Sequence, residues 1–289
     1  MSKILFISNI SNRISSFVTA SISAAHNLNI DFYQTANWQS STKEQIFADE
    51  QEYDIKIRSV PISRNPFAVS NLTAYKELVE LIKQEEIDYI HCNTPVGGML
   101  GRLAGKKCKV KKVIYQAHGF HFYKGAPIKN WLLYYPAEKI CAKLTDVLIT
   151  INKEDHARAL KQLHAKRIEY VPGVGIKTAK FRELTIDRDA KRESLGYGEE
   201  DFLLLTVAEM TPNKNHITIL KALALLKEKG ELNKIHYLIC GRGEMWESLE
   251  QSAKELGISD HVNFLGYRTD APELYKASDL FLFVTFREG

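Results

Sequence analysis

Short runs of aliphatic and β-branched residues alternate along this chain with longer segments in which apolar positions recur every three to four residues. In the first half the β-rich runs are "KILFIS" (3–8), "IDFYQT" (30–35), "YDIKIRSV" (53–60), "DYIHC" (88–92), "KVIYQA" (112–117) and "DVLITI" (146–151). Segments of helical period fill the gaps over about 14–26, 69–86, 96–105 and 128–144. Such alternation predicts a parallel sheet with helices on both faces. A polar stretch breaks the pattern, which restarts with "FLLLTVA" (202–208), a helix over 214–229, "IHYLICG" (235–241), a helix over 244–256, "VNFLG" (262–266), a helix over 271–277 and "LFLFVTF" (280–286). The predicted fold class is α/β, with two Rossmann-like domains, 1–172 and 201–289, joined by a junction over 173–200 and facing each other across a cleft. The second series has fewer strands and stops on one, so that domain reads as incomplete. Ligands of such folds sit beyond the carboxyl ends of the strands, and the residues there carry the functional reading.

The composition narrows the classes. A chain of 289 residues with 45% hydrophobic and 26% charged positions is that of a globular protein able to bury two cores. A formal net charge of +4 is too small for a field that holds nucleic acid, and the basic run "GKKCKVKK" (105–112) reads as a solvated turn before a strand. Cys92, Cys108, Cys141 and Cys240 are far apart and form no C-x-x-C pair, which argues against a zinc site or a disulfide framework and for a reducing, cytoplasmic setting. The opening "MSKILFIS" holds only a short apolar run, against the roughly 20 residues of a membrane span, so neither a signal peptide nor a span is expected.

The strand ends of the first half differ in what they offer. "SNISNRISS" (8–16) has no glycine, which argues against a G-x-G-x-x-G dinucleotide wrap and leaves either a plain capping loop or free backbone N–H groups for a ligand. In "HCNTPVGGMLGRLAG" (91–105), Asn93 or Thr94 can cap a helix whose Gly97, Gly98 and Gly101 permit close packing, and His91 reads as a core histidine. "QAHGFHFYKGAP" (116–127) puts His118 where the chain leaves the sheet, with His121 and Lys124 following, and an imidazole there can donate to or accept from a substrate hydroxyl. No third ligand accompanies the two histidines in sequence, so no metal is expected. The helix over 128–144 sets Trp131, Leu132, Tyr134 and Tyr135 among lysines. It is either a core-facing helix or one resting in a headgroup layer, with Pro136 expected to kink or restart it.

In the second half, "AEMTPNKNH" (208–216) places Lys214 at or near a helix start, where free N–H donors, the dipole end and a point charge make a diphosphate-sized anion site. Gly241 and Gly243 of "CGRGEMWESL" (240–249) allow a tight turn. In "GYRTDAPELYKASDL" (266–280), Asp270 is the expected N-cap, and Tyr267 and Arg268 lie at the cleft edge. The closing "FVTFREG" brings Glu288 and Gly289 to a strand end.

Taken together, "IHCNTPVGGMLGRLAG", "VIYQAHGFHFYKG", "LITINKEDHARAL", "YVPGVGI", "VAEMTPNKNH", "LICGRGE" and "FLGYRTDAPELYKASDLFLFVTFREG" resemble the retaining glycosyltransferases of family 4, which have the two-domain GT-B fold. "HGFHFYKG" and "ISRNPFAVSN" (62–71) resemble the bacterial subgroup of capsule and exopolysaccharide assembly, which moves a sugar from a nucleotide diphosphate to a lipid-diphosphate-linked acceptor. The resemblance implies that Lys214 binds the donor diphosphate and that Glu288 and Gly289 stand at the donor sugar. It implies that His118 contacts that sugar from the N-terminal domain, that Gly241 and Gly243 turn beneath the nucleotide, and that Tyr267 and Arg268 border its base. Asn93, Thr94, His121 and Lys124 fall on the acceptor side, and Lys214, Glu288 and His118 form the expected catalytic group.

The expected partners are a nucleotide-sugar donor, a UDP-sugar, acting as substrate with no cofactor or metal, a lipid-linked glycan acceptor, and the inner membrane leaflet by peripheral contact; no nucleic acid is expected. Two departures stand out. "AEM" replaces the family's frequent "GRL", so Glu209 stands where an arginine is common, and the second family glutamate, eight positions after Glu288, would fall beyond Gly289, so the chain reads as C-terminally truncated. The rival readings are a nucleotide-sugar epimerase or a phosphorylase on the same fold, and a non-catalytic sugar-nucleotide-binding scaffold.

Overall fold

The computed structural model describes residues 1–173, 175–176 and 178–288, so the expected donor-site residue Gly289 lies outside the described residues. Two compact units result, Met1–Ile176 and Lys177–Glu288. The first runs β1 (Ser2–Ile10), α1 (Ser16–Asn27), β2 (Ile30–Asn37), α2 (Lys43–Tyr53), β3 (Lys56–Ser59), α3 (Ser70–Gln84), β4 (Tyr89–Asn93), α4 (Pro95–Cys108), β5 (Lys112–Ala117), α5 (Ile128–Ala142), β6 (Val147–Thr150), α6 (Lys153–Gln162) and β7 (Arg167–Tyr170). Its sheet is parallel throughout, in the order β3-β2-β1-β4-β5-β6-β7.

Alternation along each strand builds two cores. Leu5 and Ile7 join Ile90, Cys92 and the inner faces of α3 and α4, whereas Phe6 turns the other way to meet Val18 and Ile22 of α1. Helix α4 lies close on the sheet because a Cβ on Gly98 would come within 2.3 Å of the Tyr115 ring. One turn on, Arg102 is buried. Its Nε donates to the Gly98 carbonyl at 2.8 Å, its two terminal nitrogens grip Glu138 of α5 at 2.5 and 3.1 Å, and its guanidinium lies 3.9 Å from the Tyr115 ring centroid.

The second unit runs α7 (Thr178–Glu183), α8 (Arg188–Ser194), β8 (Phe202–Val207), α9 (His216–Glu228), β9 (Ile235–Cys240), α10 (Trp246–Glu255), β10 (Val262–Gly266), α11 (Ala271–Ala277) and β11 (Leu280–Phe281). Its strands are parallel in the order β10-β9-β8-β11. Leu204, Tyr237 and Ile239 pack on α9 and α10, while Leu203, Leu205 and Leu238 pack on Leu274 of α11. Buried Tyr237 donates to Thr206 Oγ1 at 2.9 Å, and Thr206 donates to the Leu282 carbonyl at 2.7 Å, tying the chain after β11 to the middle of the sheet.

Several expectations are corrected. Residues 188–200, read as junction, belong to the second unit: α8 packs on α11, and its buried Arg192 donates to the carbonyls of Ala277, Gly198 and Asp201. The strand expected over 280–286 is assigned to Leu280–Phe281 alone. Pairing with β8 continues through Leu282, after which Phe286 N–H turns to the Asn213 carbonyl. Pro136 does not restart α5, which runs unbroken from Ile128 to Ala142. The elements β7, α2 and α6 were not expected. Helix α2 is polar on most of its surface, yet it carries a capping box in which Thr42 and Gln45 satisfy each other's backbone N–H groups.

Candidate active site

Lys214 stands in a 3-10 turn, Pro212–Lys214, between β8 and α9, two residues before the helix proper. Its ammonium meets the Glu288 carboxylate at 2.6 Å and lies 5.0 Å from the Phe283 ring centroid. Asn213 holds the segment beyond β11 in place, donating to Thr285 Oγ1 and to the Arg287 carbonyl at 2.7 Å, while Asn215 donates to the Val284 carbonyl. The two ends of the sheet's outer connection are thus stitched together by the asparagines on either side of Lys214.

Gly241 and Gly243 shape the neighbouring loop. A Cβ on Gly241 would lie 1.9 Å from the Ala208 carbonyl oxygen, and one on Gly243 would lie 2.3 Å from that of Met210, so the β9–α10 loop crosses the β8–α9 loop backbone against backbone. Within "AEM", Met210 is buried in the core and Glu209 is exposed. Tyr267 is exposed, while Arg268 donates to both oxygens of Asp270 at 2.7 and 2.5 Å. Asp270 also accepts from Lys191 at 2.6 Å, and these partners hold its carboxyl far below the usual carboxylate range. Its side chain therefore does not cap α11, contrary to expectation: the two cations compete successfully with the helix N–H groups.

In the first unit, the Asn9 carboxamide oxygen accepts from Gly97 N–H at 2.7 Å and from Thr94 Oγ1 at 2.6 Å. The cap of α4 thus comes from the end of β1, not from Asn93 or Thr94. Thr94 itself occupies the N-cap position with φ +63. Asn93 is buried, and its carboxamide oxygen lies 2.9 Å from His118 Nε2. A carboxamide oxygen only accepts, so Nε2 carries the proton, and burial pushes the His118 pKa down and keeps the ring neutral. His91 is buried between the Phe6 ring and Ser21, as a core histidine should be. His121 packs on Tyr134 at 4.4 Å between ring centroids, and the Lys124 backbone N–H donates to Glu154 at 3.0 Å.

Asn93, Thr94, His118 and His121 line one cavity of about 430 Å³, together with Gln34 and Arg64, which the strand-end reading missed. A second, more apolar cavity of about 200 Å³ shares Pro95, Tyr115, Gly119 and His121 with it and continues to Phe67 and Leu133. Beside it, α5 turns Trp131, Tyr134 and Tyr135 toward the core and leaves Ile128, Leu132 and Ile140 exposed, with Lys129, Lys139 and Lys143 exposed among them. Of the two readings of this helix, the core-facing one describes its aromatic residues, which form its inner face. Among the described residues no helix is long and apolar enough to cross a membrane.

Comparison with known proteins accords with the fold. The family model for "Glycosyl transferase 4-like" matches residues 3–152, and that for "Glycosyl transferases group 1" matches residues 187–289. EpsD of Bacillus subtilis strain 168 is 44% identical over 235 residues, 80% of this chain and 61% of that protein. An Escherichia coli UDP-Gal:α-D-GlcNAc-diphosphoundecaprenol α-1,3-galactosyltransferase is 28% identical over 231 residues, 79% of this chain and 59% of the enzyme. The chain thus spans about three fifths of the length of these relatives. Among solved structures, Anabaena Alr3699/HepE in complex with UDP and glucose shares the fold at a TM-score of 0.76 with 16% identity, covering 99% of this chain and 74% of its own.

Proposed function

Because the chain belongs to the glycosyl transferase 4-like family, we propose that it transfers a hexosyl or N-acetylhexosaminyl group, with retention, from a nucleoside-diphosphate donor to a lipid-diphosphate-linked glycan in surface polysaccharide synthesis. The observation that carries this reading is the pairing of Lys214 with Glu288 beside a loop crossing that only glycines permit. A donor diphosphate takes the place of the carboxylate on Lys214, helped by the N-terminal N–H groups of α9, and this cation then stabilises the charge that develops on the leaving phosphate. Released from Lys214, Glu288 is free to accept from hydroxyls of the donor sugar. Neutral His118 supplies a hydrogen-bonding edge to a sugar, and the leaving phosphate takes the proton of the acceptor hydroxyl on the same face. UDP is the favoured nucleotide, since the galactosyltransferase relative uses UDP-Gal and the HepE structure holds UDP.

The acceptor's lipid brings the enzyme to the inner leaflet from the cytoplasmic side. Exposed Ile128, Leu132 and Ile140 of α5, interleaved with exposed lysines, and exposed Phe67 and Val69 give the first unit an apolar and cationic surface suited to anionic headgroups. A thermal-shift panel of UDP- and GDP-hexoses tests the donor assignment, because a ligand that binds only the native state raises its melting temperature. Stabilisation by a UDP-hexose and its loss in Lys214→Ala are expected, and a panel without any shift would sink the proposal.

A further inference from the structure

The carboxyl end of the first sheet buries a set of neutral polar side chains whose hydrogen-bonding capacity is largely unused. Strand register sets Gln34 beside Phe6 and Phe6 beside His91, so Gln34 emerges on the face covered by α1. Gln34 is fully buried, and neither its carbonyl oxygen nor its amide nitrogen has a partner. The amide nitrogen of Asn93 and Nδ1 of His118 are likewise buried and unpartnered. With the His118 proton on Nε2, its Nδ1 is a bare acceptor. A native interior leaves few such groups unpaired, and four of them on one wall call for a ligand that pairs them.

All three side chains line the 430 Å³ cavity, whose remaining wall includes the Phe17 ring and whose lining holds no carboxylate and no lysine. Arg64, exposed, is its one fixed cation. A phosphate seated among these amides would find only one exposed countercharge, Arg64, and an apolar ligand would leave them unpaired. Donors and acceptors in alternation beside an aromatic face instead match a ring of hydroxyls, each of which donates and accepts. Within the sugar site that His118, Asn93 and Thr94 already mark, we propose that the Gln34 carboxamide is a specificity-determining group for an uncharged hexosyl ring, donating to one ring hydroxyl and accepting from the next. The inference rests on the glycosyltransferase reading for the presence of such a ring, which comes from the acceptor's glycan end or from the donor.

The test uses the chain, its Gln34→Leu variant and four probes: methyl glucoside, methyl galactoside, UDP and UDP-glucose. Binding is read by saturation-transfer NMR and titration, and folding by urea denaturation. Leucine fills similar space and removes two unpaired buried polar atoms, so the unfolding midpoint should hold or rise, whereas an amide kept for structure alone would lower it. A methyl hexoside that binds the wild type and is weakened tenfold or more by Gln34→Leu identifies the acceptor ring. An advantage of UDP-glucose over UDP that disappears in the variant identifies the donor ring. Equal binding of every probe by both chains overturns the proposal. If the variant does not fold, the Gln34 side-chain amide resonances of the wild type decide: a shift on adding hexoside supports the site, and no shift overturns it. Failure of UDP to bind, with hexoside binding dependent on Gln34, removes the transferase reading and leaves the sugar site standing.

Discussion

Lys214 and Glu288, 74 positions apart in the chain, meet at 2.6 Å between ammonium and carboxylate. Both are partly open to solvent, at 21% and 44% exposure, so the pair is worth at most about 1 kcal/mol. On the proposed reading, an incoming diphosphate displaces the carboxylate. Glu288→Gln should therefore bind UDP as well as the wild type or up to about fivefold better, while transfer falls by at least tenfold. Isothermal titration with UDP and a radiolabelled transfer assay separate the two effects; a parallel loss in both would show that Glu288 does not oppose the phosphate.

The buried Arg102–Glu138 pair makes a stability prediction. Removing one member leaves the other charge in a dry interior, which costs about 3–5 kcal/mol, whereas replacing both with apolar residues of similar size is close to neutral. Glu138→Gln should lower the urea midpoint strongly, and Arg102→Met with Glu138→Leu should recover most of it. Equal damage in the single and double variants would assign the pair a role other than mutual compensation.

Stability should fall in mild acid because of His91. Burial, with a smaller contribution from neighbouring His118, holds the His91 pKa down at about 4 against 6.5 for the free side chain. The unfolded chain then binds the extra proton first, so this contribution is whole above about pH 6.5, declines as pH falls, and levels off near pH 4, a total of about 3 kcal/mol. Urea denaturation between pH 7 and pH 4.5 should show the decline, and His91→Phe should make it shallower, leaving the share of His118, His216 and His236, whose pKa values burial also lowers. An unchanged slope in the variant would locate the titrating group elsewhere.

Gly243→Ala tests the loop crossing. The added methyl meets the Met210 backbone and not a side chain that could swing away, so two loops must separate. Loss of UDP binding with a lowered melting temperature is expected, and a variant that binds UDP normally would mean the crossing is loose.

Vesicle sedimentation checks the exposed side of α5. Leu132→Asp should leave folding intact, since Leu132 is 74% exposed, and reduce binding to phosphatidylglycerol vesicles several-fold. Unaltered binding would move the contact away from this helix.

Much of this arrangement was legible in the sequence because parallel strands buried on both faces announce themselves as aliphatic runs, as "FLLLTVA" and "IHYLICG" do. Edge and surface elements were not: β7 is four residues with two charges, and α2 shows its presence in the T-x-x-Q cap rather than in an apolar face. The nearness of Lys214 and Glu288 follows from the order of strands, with β11 beside β8, which no local pattern contains. Asn9 and Gln34 escaped notice for a related reason. Each looks like an ordinary polar residue on a strand, and only the register reveals that one caps α4 and the other faces a cavity.

Tyr115 forms part of the wall of both the 430 Å³ and the 200 Å³ cavity. Gly98 leaves room for its ring and the Arg102 guanidinium lies 3.9 Å from the ring centroid, so α4 holds the ring at two points one turn apart. A partition of that kind acts as a gauge of length: a guest in the larger chamber cannot gain room by pushing into the smaller one. Shaving Tyr115 to a smaller residue would merge the chambers and relax the limit on guest size before it altered any charge or hydrogen bond at Lys214.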